Sequence, residues 1–215
     1  MRLAKSKHEF NSAMIGMIMG DTYISQNKST YMYIRHGGKQ LSYVDEKVEY
    51  LSNYIKPISL QTCKDNKGFT YRYAYYRNNG LKYLYKNFYI KYGKKSKKYL
   101  NVNIINRFDD ISLAFLYMDD GCLSVRKKNG EYTKQLQIIL NTQAFSKEEN
   151  LWLISLLKRK FDLDFKIAKD KNNYRLWCST KSAIKMLYIV SPIVKEFKSM
   201  HYKLDIKQEN NPFLK

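Results

Sequence analysis

Two aspartates that close two apolar runs are the residues in this sequence best suited to chemistry. Asp21 ends the run MIGMIMGD, and Asp120 ends the run LAFLYMDD, 99 positions later. If both runs are helices that pack side by side, the two carboxylates lie close together at helix C-termini, where the helix dipole disfavours anions. Such a pair needs protons or a hard divalent cation, and carboxylate and carbonyl oxygens suit Mg²⁺. The pattern therefore predicts a metal site that can also bind phosphate oxygens.

The charge of the chain indicates a polyanionic partner. Among 215 residues, 39 Lys and Arg oppose 19 Asp and Glu, which gives a formal net charge of +20. A surplus of this size repels itself unless an anion is bound in the working state. We expect nucleic acid and no membrane, because the sequence has neither a basic amphipathic helix with a clean apolar face nor an apolar run of spanning length. We expect an intracellular protein of unknown compartment, because the amino terminus lacks the apolar stretch of a secretory signal.

The elements that must position the two aspartates follow the same order twice: helix, hairpin, helix, hairpin, helix. Apolar periodicity and turn residues place the helices at 13–20, 43–55, 81–92, 111–118, 146–160 and 180–190. The clearest strands are 22–25, 31–35, 71–77, 122–126, 135–141, 164–168 and 174–178. Two copies are too few for a solenoid, so we expect an α+β monomer of two pseudo-symmetric αββαββα halves. The predicted boundaries are 1–98, a linker at 99–110, and 111–215.

These residues resemble a known family, the single-chain LAGLIDADG homing endonucleases. The resemblance covers nearly the whole chain and rests on the two runs above, on LNTQAFS at 140–146 and on MHYKL at 200–204. Two motif copies at this spacing form a specific signal, whereas one copy would be weak. Thr22 replaces the last glycine of the first motif, and Phe115 is in register with Gly16, so close small-residue packing is kept on one side only. The family's fold implies a central two-helix interface and two antiparallel sheets that form a DNA-binding saddle.

The resemblance assigns the metal site to the ends of the two motifs. It implies that Asp21 and Asp120 bind the catalytic metals and that the backbone carbonyls of Gly20 and Asp119 complete the coordination. The Asp119 side chain has no charged counterpart at Gly20, and we expect it to be solvated or to act through its main chain. The expected cofactor is Mg²⁺, with Mn²⁺ as a substitute and Ca²⁺ supporting binding without cleavage.

A lysine after each repeat is implied to approach the scissile phosphate and the attacking water. Lys203 matches the family's position well. In the first repeat the match is looser and falls on Lys98, with Lys97 as the alternative. No histidine has the spacing of a metal ligand, so surface or groove positions are expected for His8, His36 and His201.

Strand alternation predicts which side chains read DNA. Leu136, Ile138 and Leu140 face the core, so Gln135 and Gln137 face outward. A β-ribbon fits the major groove, where Arg suits guanine and Gln suits adenine. The same alternation selects Tyr33, Arg35, Arg72, Ser124, Arg126, Lys166, Arg175 and Trp177, with an ordinary solvated sheet face as the alternative for each. Burial of the rings against helices is expected for Tyr71, Tyr73 and Tyr75.

The reaction implied by the resemblance is metal-dependent hydrolysis of one phosphodiester on each strand of double-stranded DNA. A long, rare recognition site, short 3′ overhangs, and homing of a mobile intron or intein are implied with it. The protein is expected to act without an obligate protein partner. One alternative is an RNA-splicing maturase on the same scaffold, and another is a non-catalytic DNA-binding regulator. The intact acids and Lys203 argue against the regulator.

Overall fold

The computed structural model describes residues 3–93, 95–128 and 131–205, without the side chains of residues 126–128 and 131–134. The first half contains α1 (Lys7–Met19), β1 (Tyr23–Gln26), β2 (Thr30–Gly37), α2 (Leu41–Leu51), β3 (Ser59–Lys64), β4 (Thr70–Arg77), α3 (Leu81–Phe88), β5 (Tyr89–Tyr92) and β6 (Lys95–Lys98). The short helix α4 (Val102–Ile105) follows. The second half contains α5 (Asp110–Asp120), β7 (Gly121–Lys128), β8 (Glu131–Leu140), α6 (Lys147–Phe161), β9 (Phe165–Asp170), β10 (Asn173–Cys178) and α7 (Thr180–Val194).

The two four-stranded antiparallel sheets have the same topology. Their strand orders are β1-β2-β4-β3 and β7-β8-β10-β9. Each sheet begins with an antiparallel hairpin just after the aspartate of its half: Tyr23 pairs with Tyr33, and Cys122 pairs with Ile139 in a longer hairpin. These features confirm the predicted α+β fold with two similar halves.

The central interface is formed by α1 and α5, which are buried along most of their length. Residues 12–20 and 111–119 are all buried. At Gly16, a Cβ would lie 2.3 Å from the Ser112 carbonyl oxygen and 2.8 Å from the Phe115 Cβ. The Ser112 hydroxyl donates to the Ser12 carbonyl at 2.8 Å, which ties the first turn of α5 to the middle of α1. The missing side chain at Gly16 thus allows the backbones to approach closely.

Helix α3 is shorter than predicted, and the chain that leaves it carries a lysine to the central helices. The helix expected at 81–92 ends at Phe88, because Tyr89 adopts an extended backbone and begins the β5–β6 hairpin. The buried Tyr89 hydroxyl accepts the N–H of Ile24 at 3.0 Å, which occupies a backbone donor of the edge strand β1. Tyr89 pairs across the hairpin with Lys98. The helix α4 lies within the expected linker, and the domain boundaries stay a prediction.

Candidate active site

Asp21 and Asp120 lie at adjacent ends of the two central helices. Asp120 is the last residue of α5, whereas Asp21 follows the end of α1 by two positions. Burial, followed by the charge of Asp21, raises the pKa of Asp120 to about 8. The pKa of Asp21 is also raised, first by partial burial and then by the charge of Asp119. Carboxyl groups held in this way at helix C-termini favour the approach of a cation.

Two lysines lie against the ends of the same helices. The ammonium of Lys98 donates to the Gly20 carbonyl at 2.5 Å, and that of Lys203 donates to the Gly121 carbonyl at 2.6 Å. Burial lowers the pKa of both lysines, while the nearby aspartates oppose this shift. Lys97 is exposed and precedes Lys98 on the same strand. The structure therefore brings Lys98 to the site, and its catalytic role stays a prediction.

The donor atoms at the helix ends fit a hard divalent cation. The carboxylates of Asp21 and Asp120 are oxygen donors at these helix ends, and the ligand roles expected for the Gly20 and Asp119 carbonyls stay a prediction. Oxygen ligands of this kind suit Mg²⁺ or Mn²⁺ better than a softer metal. A bound cation would also offset the unfavourable burial of Asp120, whose pKa is raised to about 8.

Next to Asp21 lies a buried cluster that sequence reasoning missed, formed by His36, Lys47 and Asp119. The Lys47 ammonium donates to one carboxylate oxygen of Asp119 at 2.7 Å, and both side chains are 0% exposed. Lys47 also lies 2.9 Å from the Nε2 atom of His36. The second Asp119 oxygen accepts the backbone N–H of Asp21 at 3.0 Å. The expectation that the Asp119 side chain is solvated is therefore wrong, and a role of its main chain stays a prediction.

The surface or groove position expected for His36 is also wrong. Its side chain is 2% exposed, and its Nδ1 atom lies 3.7 Å from the Asp21 carboxylate. Burial and the neighbouring Lys47 lower the pKa of His36 to about 3, so the ring is neutral at ordinary pH. Because an ammonium is only a donor, Nε2 accepts from Lys47 and the proton lies on Nδ1, on the side of Asp21.

A sequence signal for this cluster existed. His36 alternates with the apolar Met32 and Ile34 on β2, so period-2 reasoning places it on the core face. Lys47 lies on the buried stripe of α2 that includes Tyr43 and Val44. Polar residues at core positions usually have buried partners.

On the first sheet, the face turned away from the helices carries aromatic and basic side chains. Tyr33 pairs with Tyr75, and Arg35 pairs with Tyr73, so these four share that face. The Arg35 guanidinium lies 3.7 Å from the centre of the Tyr71 ring, which holds it extended over the sheet. The expectation that Tyr71, Tyr73 and Tyr75 bury their rings against helices is wrong, because Ala74 and Tyr76 supply the core face of β4 instead.

Arg72 lies on the opposite face from the one predicted. It pairs with the buried His36, and its guanidinium forms an ion pair with Asp45 of α2 at 2.7 Å. It also donates to the Thr62 hydroxyl. The predicted outward face of Arg72 is therefore wrong, because the β4 alternation is shifted by one residue from the one assumed.

On the second sheet, the residues proposed from alternation share one face. Ser124 pairs with Gln137, whose amide donates to the Ser124 hydroxyl at 3.1 Å. Trp177 pairs with Lys166, and the Lys166 ammonium lies 5.7 Å from the Trp177 ring centre. The remaining predicted residues on this face are Gln135, which is exposed, and Arg175, which is half-buried. The side chain of Arg126 lies outside the described residues.

Comparison with known proteins gives consistent results. Residues 11–186 match the LAGLIDADG DNA endonuclease family. The probable intron-encoded endonuclease 1 of Wickerhamomyces canadensis is 30% identical over 196 residues, which are 89% of this chain and 81% of that protein. No described helix is both long enough and apolar enough to cross a membrane.

Solved structures share the architecture. The homing endonuclease I-WcaI bound to its DNA recognition sequence aligns with a TM-score of 0.76 and 25% identity over 96% of this chain and 89% of that chain. A variant of I-DmoI, in complex with its target DNA nicked in the coding strand and in the presence of 2 mM Mn, aligns with a TM-score of 0.50 and 15% identity over 86% and 96% of the two chains. By sequence and by fold, this chain belongs to the LAGLIDADG DNA endonuclease family.

Proposed function

We propose that this protein is a monomeric homing endonuclease that makes a metal-dependent double-strand break at a long DNA site. The observation that carries the proposal is the pair of acids at adjacent ends of the central helices. Asp21 and Asp120 each have a raised pKa, and each has a lysine ammonium on a neighbouring carbonyl. Two such acid and lysine sets, one in each half, match the two strands of a duplex.

The two sheets supply the DNA-binding surface in this proposal. Their faces turned away from the helices bear Arg35 on one side and Lys166, Arg175 and Gln135 on the other. The net charge of +20 favours the phosphate backbone, where neutralisation releases counterions. Arg35 can donate two hydrogen bonds to guanine in the major groove, and its stacking on Tyr71 preorganises it for that contact.

The divalent ions would be held by the carboxylates of Asp21 and Asp120 with the carbonyls of Gly20 and Asp119. When bound, Mg²⁺ supplies Lewis-acid stabilisation of the charge that develops on the phosphate. The Lys98 ammonium already lies on the Gly20 carbonyl, so it offsets negative charge at this helix end. We expect Mn²⁺ to substitute for Mg²⁺ and Ca²⁺ to support binding without cleavage.

Lys98 and Lys203 would act on the phosphates. Each is anchored on a carbonyl next to one of the acids, which limits its motion. A positioned ammonium can donate to a phosphate oxygen and orient the attacking water, an effect worth about 10²-fold or more in rate. Because burial lowers the pKa of both lysines, each is also better able to exchange a proton than a solvated lysine.

A cleavage-site selection tests this proposal. The purified protein is incubated with a library of random DNA duplexes in Mg²⁺, and the cut ends are captured and sequenced. We expect one long consensus with cuts on both strands, and no product in EDTA. The proposal is wrong if the protein leaves the duplex library intact in Mg²⁺ and Mn²⁺ while the same preparation is folded.

A further inference from the structure

The two acids are held by their backbones in different ways. The helix α5 extends through Asp120, whereas α1 ends at Met19, two residues before Asp21. The amides on either side of Asp21 still bond to α1: Gly20 donates to the Gly16 carbonyl at 3.0 Å, and Thr22 donates to the Met17 carbonyl at 2.9 Å. The Asp21 amide donates instead to the Asp119 carboxylate at 3.0 Å. A side chain of one central helix therefore fixes the backbone of the acid that follows the other.

Asp119 can serve in this way because Lys47 neutralises it. A third carboxylate beside Asp21 and Asp120 would be costly in a buried setting without a counter-ion. Lys47 supplies the counter-ion at 2.7 Å and also contacts His36 Nε2 at 2.9 Å. Ligand-type atoms of Asp21, His36 and Asp119 lie within 4.8 Å of one another, but the Lys47 ammonium already contacts two of these residues. The Lys47 ammonium thus supplies the positive charge of this cluster, in the place where a metal ion would otherwise lie.

The position before Asp21 must lack a side chain for this contact to form. A Cβ on Gly20 would lie 2.5 Å from the Asp119 Cβ and 2.6 Å from its Oδ2 atom, which is the acceptor for the Asp21 amide. Gly20 and Asp119 occupy equivalent positions in the two repeats. One repeat therefore has the carboxylate, and the other has the glycine that makes room for it. The contact cannot be duplicated in the other half.

We propose that Asp119, held in place by Lys47, is a positioning residue for Asp21 and makes the two halves of the active site unequal. It replaces the helical hydrogen bond that Asp120 has and Asp21 lacks. The inference rests on the proposed function only for its effect on DNA, namely that loss of the contact slows cleavage of one strand more than of the other.

Amide hydrogen exchange tests the contact without any cleavage. In the wild-type protein, the Asp21 amide should exchange slowly, as do the amides of Gly20 and Thr22, which serve as internal controls. In the double variant Asp119→Ala/Lys47→Met, the Asp21 amide should exchange about 10- to 100-fold faster while both controls stay slow. Unprotected exchange of the Asp21 amide in the wild type would overturn the proposal, and so would equal exchange in the two proteins. If the double variant fails to fold, Gly20→Ala serves in its place, because the new Cβ displaces the Asp119 carboxylate and should likewise speed exchange of the Asp21 amide.

A matched variant isolates the acceptor from the ion pair. Asp119→Asn/Lys47→Met also removes both charges but keeps an oxygen that can accept the Asp21 amide. Both double variants avoid leaving one buried charge unpaired, which would destabilise the fold by itself. With end-labelled duplex, we expect the Ala-containing variant to cut one strand about 10-fold more slowly than the Asn-containing variant, with KM for DNA unchanged. Gly20→Ala should shift the strand ratio in the same direction, because it displaces Asp119 while leaving every charge in place.

Two results on DNA would overturn the positioning role. One is an equal slowing of both strands in the Ala-containing variant, which would indicate a general loosening of the interface. The other is an unchanged strand ratio in a folded variant whose Asp21 amide has lost protection. If the wild-type protein cuts neither strand, the proposed function fails instead, and the exchange result still decides the contact at Asp21.

Discussion

Replacing Gly16 by alanine should destabilise the protein, although alanine is the better helix former. The new Cβ would lie 2.3 Å from the Ser112 carbonyl oxygen and 2.8 Å from the Phe115 Cβ, whereas ordinary contact starts at 3.4 Å. The first of these atoms belongs to the main chain of α5 and cannot rotate away. The two central helices must therefore move apart along an interface that is buried along most of its length.

The magnitude follows from two opposing effects. Overpacking of a tight core costs about 1–3 kcal/mol, and contact with a backbone atom places Gly16→Ala near the upper value. The gain in helix propensity is about 1 kcal/mol. We therefore expect a net loss of about 2 kcal/mol in the free energy of unfolding, or a Tm lower by about 4–8 °C for a chain of this size.

Urea denaturation of Gly16→Ala beside Asn11→Ala provides the assay. Asn11 is an exposed position of the same helix, so its substitution changes propensity without touching α5. We expect Asn11→Ala to lie within about 0.5 kcal/mol of the wild type. A Gly16→Ala variant that is as stable as the wild type, or more stable, would show that α1 and α5 do not depend on close backbone contact at this position.

Three further outcomes follow from the site. Arg35→Ala should weaken DNA binding about 10-fold or more, because Arg35 lies on the outward face of its sheet. Arg72→Ala should weaken binding less than about 3-fold, because Arg72 is paired with Asp45. Similar losses of affinity for the two variants in a filter-binding or fluorescence titration would contradict the assignment of faces. Lys98→Met should slow single-turnover cleavage by about 10²-fold and Lys97→Met by little, and the reverse order would move the role to Lys97. In metal-free buffer, the pKa of Asp120 is about 8 in the folded state and lower in the unfolded state, so protonation of this carboxyl favours folding. This contribution to the free energy of unfolding is complete below about pH 4 and is lost as the pH rises through about 8. The Tm advantage of Asp120→Asn over the wild type should thus grow between about pH 5 and 8 in EDTA, and a constant difference would contradict the raised pKa.

The features that the sequence predicts well are those that depend on local patterns. An apolar run that is buried on all sides, such as the one before Asp21, needs a second run to pack against, and the repeat of that run before Asp120 identifies the partner. Alternation over residues 135–140 places Gln135 and Gln137 on the outward face, because the aliphatic Leu136, Ile138 and Leu140 supply the core face.

The predictions that proved wrong concern amphipathic residues and tertiary contacts. Strand β4 reads TYRYAYYR, and tyrosine suits either face of a sheet, so alternation alone does not identify its core side. The wrong face was predicted for Arg72 because of that ambiguity. The contact between Lys47 and Asp119 joins residues 72 positions apart, on helices whose packing no local pattern specifies. The role of Asp119 therefore becomes visible only when α2 and α5 are placed together.

The most direct test of the account compares Asp21→Asn and Asp120→Asn on a supercoiled plasmid that contains a selected site. Both variants should bind the site in Ca²⁺ with nearly wild-type affinity, because the sheets supply the phosphate and base contacts. In Mg²⁺, neither should convert the plasmid to the linear form at a measurable rate, since each lacks one carboxylate of the shared site. Linearisation by either variant at close to the wild-type rate would show that the active site does not lie at the ends of the central helices.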